Sequence, residues 1–477
     1  MQMPSGFYAG GHFLRRASGS REKKDMTDRK RFQTDPLHDP ILKGMLILGM
    51  PVALSALLTM LFSCADTVVI GRFGHPGAIT AIGVSASVLN LLVGGLTALS
   101  AGVTVTAGNL YGRGRKDRVR ELTQTLPLTS LFLGALLSLF ALSASRPILL
   151  ALNCPPQALA DALVYFRIYF CGVPFTMVST FLAALLQARG DSFTPFCLQM
   201  GASLLNILLN LLFVIAFDWN VAGVALATVI SQFLLAAAVL FLMTGQENDL
   251  KLDLLSCTFF HSPVCLFSLG IPSSLEGMVL NLSGVIIASV INRFDSAVIA
   301  GNSIATTLEG LIVVTFAGFE NASAVFISQN CGAGRLDRVR KTYRITVAAV
   351  FLCAEGAGIL IYLASPALLG IFTGDEAIRQ AASVRLFYMC LFFGLLGLMN
   401  VVSGCVRGLG DARTPLYISV LGSVFFRLGW IFTFAARKGT IESVYLSYPL
   451  CWALCSLLNM AAFDRLFRKE EKRRGQA

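Results

Sequence analysis

A single carboxylate, Asp66, lies near the end of a long apolar segment that runs from Gly49 to Arg72. A charge inside a membrane-spanning segment costs about 2.5 kcal/mol or more on insertion scales, so it is rarely without a role. Asp66 precedes Arg72 by six residues, which places it about 9 Å inside the outer boundary of a helix. At this depth a carboxylate could bind a proton or a partly dehydrated sodium ion.

Two asparagines on a later apolar segment lie at a depth close to that of Asp66. Asn206 and Asn210 are four residues apart, so they share one face of a helix. Asn210 precedes Asp218, at the outer end of this segment, by eight residues, or about 12 Å. The three side chains could form one ion site, or they could be a polar cluster that only joins helices.

The second half of the chain has its own charged residues within apolar segments. They are four glutamates and one arginine: Glu276, Glu309, Glu320, Glu355 and Arg427. Because an intramembrane charge needs a partner, we expect a structural charge pair of Arg427 with Glu355. Glu276 and Glu309 are further candidates for contact with the ion or the substrate.

The elements that must position these residues are membrane-spanning helices. The chain of 477 residues is 55% hydrophobic and only 14% charged, and its mean hydropathy is +0.71. Apolar runs longer than the roughly 18 residues of a spanning helix follow one another. This pattern predicts an all-α polytopic membrane protein with twelve transmembrane helices. They are expected near residues 44–70, 78–108, 123–145, 159–187, 194–217, 221–243, 262–292, 299–328, 344–365, 378–406, 415–435 and 441–463.

Loop charges predict the orientation of these helices. The net charge of +11 comes from basic residues at the ends of apolar segments, as in the loops 109–121 and 329–344, whereas the alternate loops carry few. This distribution is typical of topology determinants and excludes a nucleic-acid partner as the explanation of the charge. By the positive-inside rule, both termini of this multi-pass plasma-membrane protein are expected to be cytoplasmic.

An internal repeat divides the helices into two sets of six. Gly49 and Pro51 return as Gly270 and Pro272, and the loop GRGRKDRVRE returns 220 residues later as GAGRLDRVRK. An even number of helices per copy makes the repeat parallel, which is a transporter architecture with a site between the halves. The predicted regions are a disordered basic tail (1–40), an N-lobe (41–243), an inter-lobe connector (244–261), a C-lobe (262–464) and a basic tail (465–477). Met26 could equally be the natural start.

Several other kinds of chemistry find no support in the sequence. The twelve cysteines include no C-x-x-C pair and the four histidines lie outside the deep helix positions, so neither a metal site nor another cofactor is expected. The basic loops do not match the phosphate-cradling GxxxxGK[ST] pattern, so we interpret them as caps that need no ligand, and ATP drive is not expected. A membrane-embedded enzyme would need an acid–base pair or a metal set at depth, and no histidine is available for one.

Longer motifs give the chain a family resemblance. The stretches ADTVVIGRFG (65–74), NLYGRGRKDRVRE (109–121) and LLQARGDSFTP (185–195), with SGCVRGLGDARTP (403–415), resemble the multidrug and toxic compound extrusion (MATE) family. The resemblance covers residues 39–467. It implies that the two lobes form a V around a central cleft and that amphipathic, often cationic, small molecules are exported. Export would be driven by inward H⁺ or Na⁺, without ATP.

The resemblance extends only partly to individual residues. Asp66 matches the acidic residue that the family uses for ion coupling in its N-lobe, and Asn206 matches an asparagine on helix five. The acidic residue often found four positions later is Asn210 here, and Leu280 and Leu396 stand where one branch has C-lobe acids. The chain is therefore more similar to the DinF-like branch, which favours proton coupling. A flippase for a lipid-linked precursor is the alternative, and either protein is expected to function as a monomer in the lipid bilayer.

Overall fold

The computed structural model describes residues 32–75, 77–152, 154–246, 249–253, 256–258 and 263–475. Within them, eleven helices are long and apolar enough to cross a membrane, and a pair bent by 47° completes a twelfth span. They are α1 (Ile41–Phe73), α2 (Ala78–Gly112), α3 (Lys116–Ser143), α4 (Pro156–Arg189), α5 (Phe193–Ala216), α6 (Asn220–Thr244), α7 (Pro263–Ile291), α8 (Ser296–Gly332), α9 (Leu336–Phe372), α10 (Glu376–Cys390 and Phe393–Gly408), α11 (Arg413–Lys438) and α12 (Ile441–Gly475). The predicted set of twelve helices is confirmed.

Helix ends differ from the prediction on the side where the basic loops lie. The predicted loops 109–121 and 329–344 shorten to the turns 113–115 and 333–335, because the flanking helices extend into the basic sequence. The basic tail predicted from residue 465 is likewise helical as far as Gly475. We call the end of the molecule that carries these two turns and the end of α12 the basic end.

The sequence repeat is also a repeat of local structure. Asp191 accepts hydrogen bonds from the backbone N–H of Thr194 (3.0 Å) and from its hydroxyl (2.8 Å), which caps the start of α5. Asp411 caps α11 in the same way through Thr414, at 3.1 and 2.7 Å. The glycine before each aspartate has a left-handed φ, 106° and 94°, which glycine adopts without steric cost. The repeated Gly-Asp-x-x-Thr motif is therefore a helix-starting device.

Each lobe has its own hydrophobic core. Buried side chains of α1–α6, such as Phe166 and Phe181, form one cluster, and those of α7–α12, such as Leu386 and Tyr445, form another. The connector continues the first core, since Leu250 and Leu252 are buried and the backbone at Lys251 accepts a hydrogen bond from α3. The lobes are thus separately packed units that meet across an interface.

The interface is tight at the basic end. Amide side chains of α8 donate to the end of α4: Asn321 to the side-chain oxygen of Gln187 (3.0 Å) and Gln329 to the carbonyl of Ala188 (2.6 Å). Gly112 lies against the backbone of Gln329, and closer to the membrane centre the backbones of α1 and α8 touch through paired glycines. Small residues allow this approach, as is common between membrane helices.

Residues 32–40 correct one prediction, that of a disordered tail up to residue 40. We call this segment the strap, because it is held by both lobes. Thr34 is buried and its N–H donates to the carbonyl of Gly190 in the N-lobe (3.1 Å). From the C-lobe, Asn330 donates to the carbonyl of Pro36 (3.0 Å) and Arg335 to that of Leu37 (2.6 Å). Polar composition suggested disorder, but distant side chains supply the hydrogen bonds that order this backbone. Residues 1–31 lie outside the described residues.

The Gly112 contact leads to a testable prediction. A Cβ at this position would overlap the carbonyl oxygen of Gln329, so Gly112→Ala is expected to separate the lobes at the basic end. Hydrogen exchange should become faster across residues 326–332 than in the wild type. Gly94→Ala on the same helix is the control, because a Cβ there meets no atom within 4 Å. Equal exchange in both variants would show that the glycine contact does not hold the lobes together.

Candidate functional site

The structure brings Asp66, Asn206 and Asn210 together in the N-lobe, as the sequence predicted. Asn210 on α5 donates a short hydrogen bond from Nδ2 to Oδ1 of Asp66 on α1. The same amide lies 3.3 Å from Oδ1 of Asn206, whose own amide lies 3.3 Å from the hydroxyl of Thr228 on α6. A chain of hydrogen bonds therefore joins three helices and ends at one carboxylate.

The amide orientations in this cluster leave an acceptor atom that a proton or a cation could satisfy. With its amide turned over, Asn206 would donate to Asp66 Oδ1 over 3.2 Å and would accept from the Thr228 hydroxyl and N–H. Asn210 is buried, and its Oδ1 has no hydrogen-bond partner among the described residues. Asp66 itself is half-buried. An unsatisfied amide oxygen beside a carboxylate is an acceptor that a protonated carboxyl or a cation could satisfy.

Two tyrosines that sequence reasoning did not single out also belong to this region. Tyr165 and Tyr169 are one turn apart on α4, in the same lobe as Asp66, and the carboxylate charge acts on both phenols. Their rings are 6.0 Å apart; Tyr165 is buried in the N-lobe core and the half-buried Tyr169 packs against it. Nothing in their own spacing distinguishes them from core aromatics, so only the folded arrangement of the N-lobe helices reveals them.

In the C-lobe, Glu276 is part of a buried charge network. Arg407 on α10 bridges Glu276 on α7 (3.3 Å) and Glu320 on α8, the latter at very short range. The hydroxyls of Ser403 and Ser419 donate to Glu276 Oε1 at 2.9 and 3.1 Å. Glu276 is therefore fully engaged in bonds that fix three helices, which is the pattern of a structural charge.

Glu309 has a different arginine partner. Arg385 on α10 makes a two-pronged ion pair with Glu309 on α8, with both N–O distances at 2.7 Å. The remaining guanidinium nitrogen donates to Asn302 (2.7 Å), and the rings of Tyr445 and Tyr448 lie 5.5 Å from the guanidinium carbon. Two-pronged arginine–carboxylate pairs are among the strong hydrogen-bonded ion pairs in proteins. Residue spacing alone did not predict Arg385 as the partner of Glu309.

The predicted charge pair of Arg427 with Glu355 is wrong. Glu355 instead accepts a hydrogen bond from the N–H of Gly394, just after the bend of α10 (2.8 Å). Arg427 is buried between two π-helical stretches of α11, with its guanidinium 4.6 Å from the ring centre of Tyr448. Its Nε has no hydrogen-bond partner among the described residues. Middle positions on two helices did not imply contact, because the helices place the two side chains in different parts of the lobe.

The fold and the N-lobe cluster define a class of protein. Twelve membrane-spanning helices in two repeated lobes, with a half-buried carboxylate hydrogen-bonded between two of the N-lobe helices, are the architecture of a membrane transporter. The MatE family model matches residues 51–212 and 272–430, which is more than half of the chain and covers both copies of the repeat. The chain belongs to the MatE family.

Relatives that span almost the whole chain agree with this assignment. A probable multidrug resistance protein of Bacillus subtilis, YoeA, is 22% identical over 90% of this chain and 95% of its own length. NorM of Thermotoga maritima, also a probable multidrug resistance protein, is 25% identical over 80% of this chain and 83% of its own. The multidrug export protein MepA of Staphylococcus aureus is 23% identical over 90% of this chain and 95% of its own length.

Solved structures share the fold. The MATE transporter VcmN of Vibrio cholerae, in its bent form, superimposes with a TM-score of 0.83 at 20% identity, over 90% of this chain and 98% of that one. An outward-facing MATE family transporter of the MOP superfamily superimposes with a TM-score of 0.84 at 17% identity, over 93% of this chain and 98% of that one. The predicted two-lobed, V-shaped fold is therefore confirmed.

Proposed function

We propose that this chain is an ion-coupled exporter of amphipathic small molecules in the plasma membrane. The observation that carries the proposal is the contact of Asp66 with Asn210, whose Oδ1 has no partner. The relatives named as multidrug export and resistance proteins support the direction and the substrate class. If the basic end is cytoplasmic, as the positive-inside rule indicates, the lobes touch at the inner side and the cleft opens outwards.

The proton is the coupling ion that the N-lobe cluster favours. Among Asp66, Asn206, Asn210 and Thr228, only Asp66 changes charge. When protonated, Asp66 can donate to Asn210 Oδ1 while it still accepts from Asn210 Nδ2, which gives a reciprocal pair with both amide atoms satisfied. Protonation also removes a costly charge from the membrane. The two protonation states thus favour different packing of α1 against α5, which couples the ion to the release of substrate.

The alternative function, flipping of a lipid-linked precursor, has less support. A pyrophosphate head would need several uncompensated cations facing the cleft. Arg385 and Arg407 are each neutralised by glutamates, which leaves Arg427 as the intramembrane arginine of the C-lobe without a carboxylate partner among the described residues. One such residue is a weak basis for pyrophosphate binding.

Transport in proteoliposomes tests the proposal. We expect ethidium to be moved against its gradient when a proton gradient is imposed, and to remain at equilibrium under a sodium gradient of equal size. Sodium-only drive would transfer the coupling role from a proton to a cation held by the oxygens of Asp66, Asn206 and Asn210. If neither gradient moves ethidium or a panel of other amphipathic cations, the proposed exporter function is wrong.

A further inference from the structure

A cavity of about 390 Å³ lies at the basic end, between the two lobes. Its rim carries five arginines: Arg113 and Arg115 from the turn between α2 and α3, Arg118 from the first turn of α3, and Arg473 and Arg474 from the end of α12. The N-lobe supplies three of them and the C-lobe two. The cavity is therefore a shared feature of both lobes rather than a groove within one.

The charge of the cavity is only partly compensated. Glu121 pairs with Arg118 (2.7 Å), and Glu470 pairs with Arg474 (2.7 Å) and more loosely with Arg473 (4.0 Å). Five arginines and two glutamates leave a net charge of +3 at the rim. Within the part of the chain that the structure describes, Arg113 and Arg115 have no carboxylate partner.

In the other copy of the internal repeat, the equivalent arginines donate hydrogen bonds to backbone carbonyls. Arg115 and Arg118 correspond to Arg335 and Arg338, and each pair begins a helix after a glycine of positive φ. In the C-lobe copy the strap supplies the acceptors: Arg335 donates to the carbonyl of Leu37 and Arg338 Nε to that of Pro36 (3.1 Å). In the N-lobe copy the same two positions line the cavity. The C-lobe copy is occupied by the protein's own carbonyl oxygens, whereas in the N-lobe copy Arg118 is paired with Glu121, and Arg115 lines the cavity without a carboxylate partner among the described residues.

We propose that this cavity binds a phosphate-bearing anion, which bridges the arginines of the two lobes. Several guanidinium groups around one space match the many oxygens of a phosphate, with which arginine forms charge-assisted hydrogen bonds. The anion is either a soluble phosphate compound or the headgroup of an acidic phospholipid. This assignment revises the interpretation of the loop as a cap without a ligand.

Binding at this place stabilises one arrangement of the lobes. Since the arginines come from both lobes and repel one another, the anion offsets that repulsion only while the basic ends are in contact. Separation of the lobes at this end divides the cavity and releases the anion. The anion therefore favours the conformation described here, whatever the lobes transport, so the proposal does not rest on the exporter function.

Binding to purified full-length protein tests the site. Pyrophosphate is titrated in neutral detergent with a thermal-unfolding readout, and phosphatidylglycerol is compared with phosphatidylcholine in nanodiscs. The Arg115→Gln/Arg118→Gln double variant removes two of the five arginines, and Arg120→Gln is the control because Arg120 lies on the same helix outside the cavity lining. We expect the double variant to bind at least about tenfold more weakly, since charge-assisted hydrogen bonds are lost, and the control to bind like wild type.

The two arms distinguish the source of the phosphate. A rise in Tm with pyrophosphate that the double variant loses supports a soluble ligand. Stabilisation by phosphatidylglycerol alone, again lost in the double variant, supports a lipid headgroup. The proposal is overturned if neither anion raises the Tm of the wild type, or if the double variant responds as strongly as Arg120→Gln. Before titration, size-exclusion profiles of both variants establish that they are folded.

Discussion

Asp66→Asn is expected to abolish gradient-driven efflux in proteoliposomes while the protein stays folded. Asparagine preserves the size of the side chain and can still accept the hydrogen bond from Asn210, but it cannot be protonated and deprotonated. If the proton moves on Asp66, efflux should fall to the rate of liposomes without protein. The Tm of the variant should be no lower than that of the wild type, because an uncharged residue at this depth is tolerated better than a carboxylate.

A second carboxylate in a membrane helix provides the matched control. Glu355→Gln keeps an oxygen that can accept the hydrogen bond from the Gly394 N–H, so efflux should persist. Asn210→Ala removes the donor to Asp66 together with the unpartnered Oδ1, and an intermediate rate is expected. If Asp66→Asn pumps as fast as the wild type, the coupling group lies elsewhere, and Glu276 becomes the next residue to replace.

The second large effect is expected at the ion pair of Arg385 with Glu309. Arg385→Leu leaves a buried carboxylate without a partner, and breaking a buried pair in this way typically costs about 3–5 kcal/mol. The Arg385→Leu/Glu309→Leu double variant should recover much of this loss, since it leaves no unpaired charge. Reversible unfolding in mixed micelles measures the free energy of unfolding of the single and the double variant. A double-mutant cycle then gives the coupling free energy between the two residues.

Another arginine of α10 serves as the control for this cycle. Arg379 pairs with Glu376 over 3.4 Å near the surface, so Arg379→Leu should change the free energy of unfolding by only about 0–1 kcal/mol. Transport by the folded double variant then decides the role of Glu309. Normal efflux agrees with a structural pair, whereas loss of efflux by a stable double variant would return Glu309 to the list of coupling residues.

Features that follow from local sequence were predictable. The twelve spans follow from apolar runs, and the repeated Gly-Asp-x-x-Thr motif forms similar helix starts in both lobes. The cluster of Asp66 with Asn206 and Asn210 was also predictable, because depth along a helix is fixed by residue count and the two asparagines must share a face.

Features that depend on how helices rotate against one another could not be predicted from the sequence. Arg385 and Arg407 lie on α10, and the partner of each is decided by the face that α10 turns towards α7 and α8. Depth alone suggested Arg427 with Glu355, since depth does not report rotation about the helix axis. The strap escaped prediction for a related reason: the side chains that bind its backbone lie about 300 residues away in sequence.

That separation has a consequence for the order of events during synthesis. Pro36 leaves the ribosome early, but Asn330 and Arg338, which bind its carbonyl, follow 294 and 302 residues later. At about 5–20 residues per second, the strap waits about 15–60 s for these partners. The N-lobe, with its separate core, has this interval in which to pack by itself. Docking of the strap therefore cannot precede synthesis of α8 and the turn that follows it, and protection of the strap from proteolysis would mark the moment at which the N-lobe and α8 have come together.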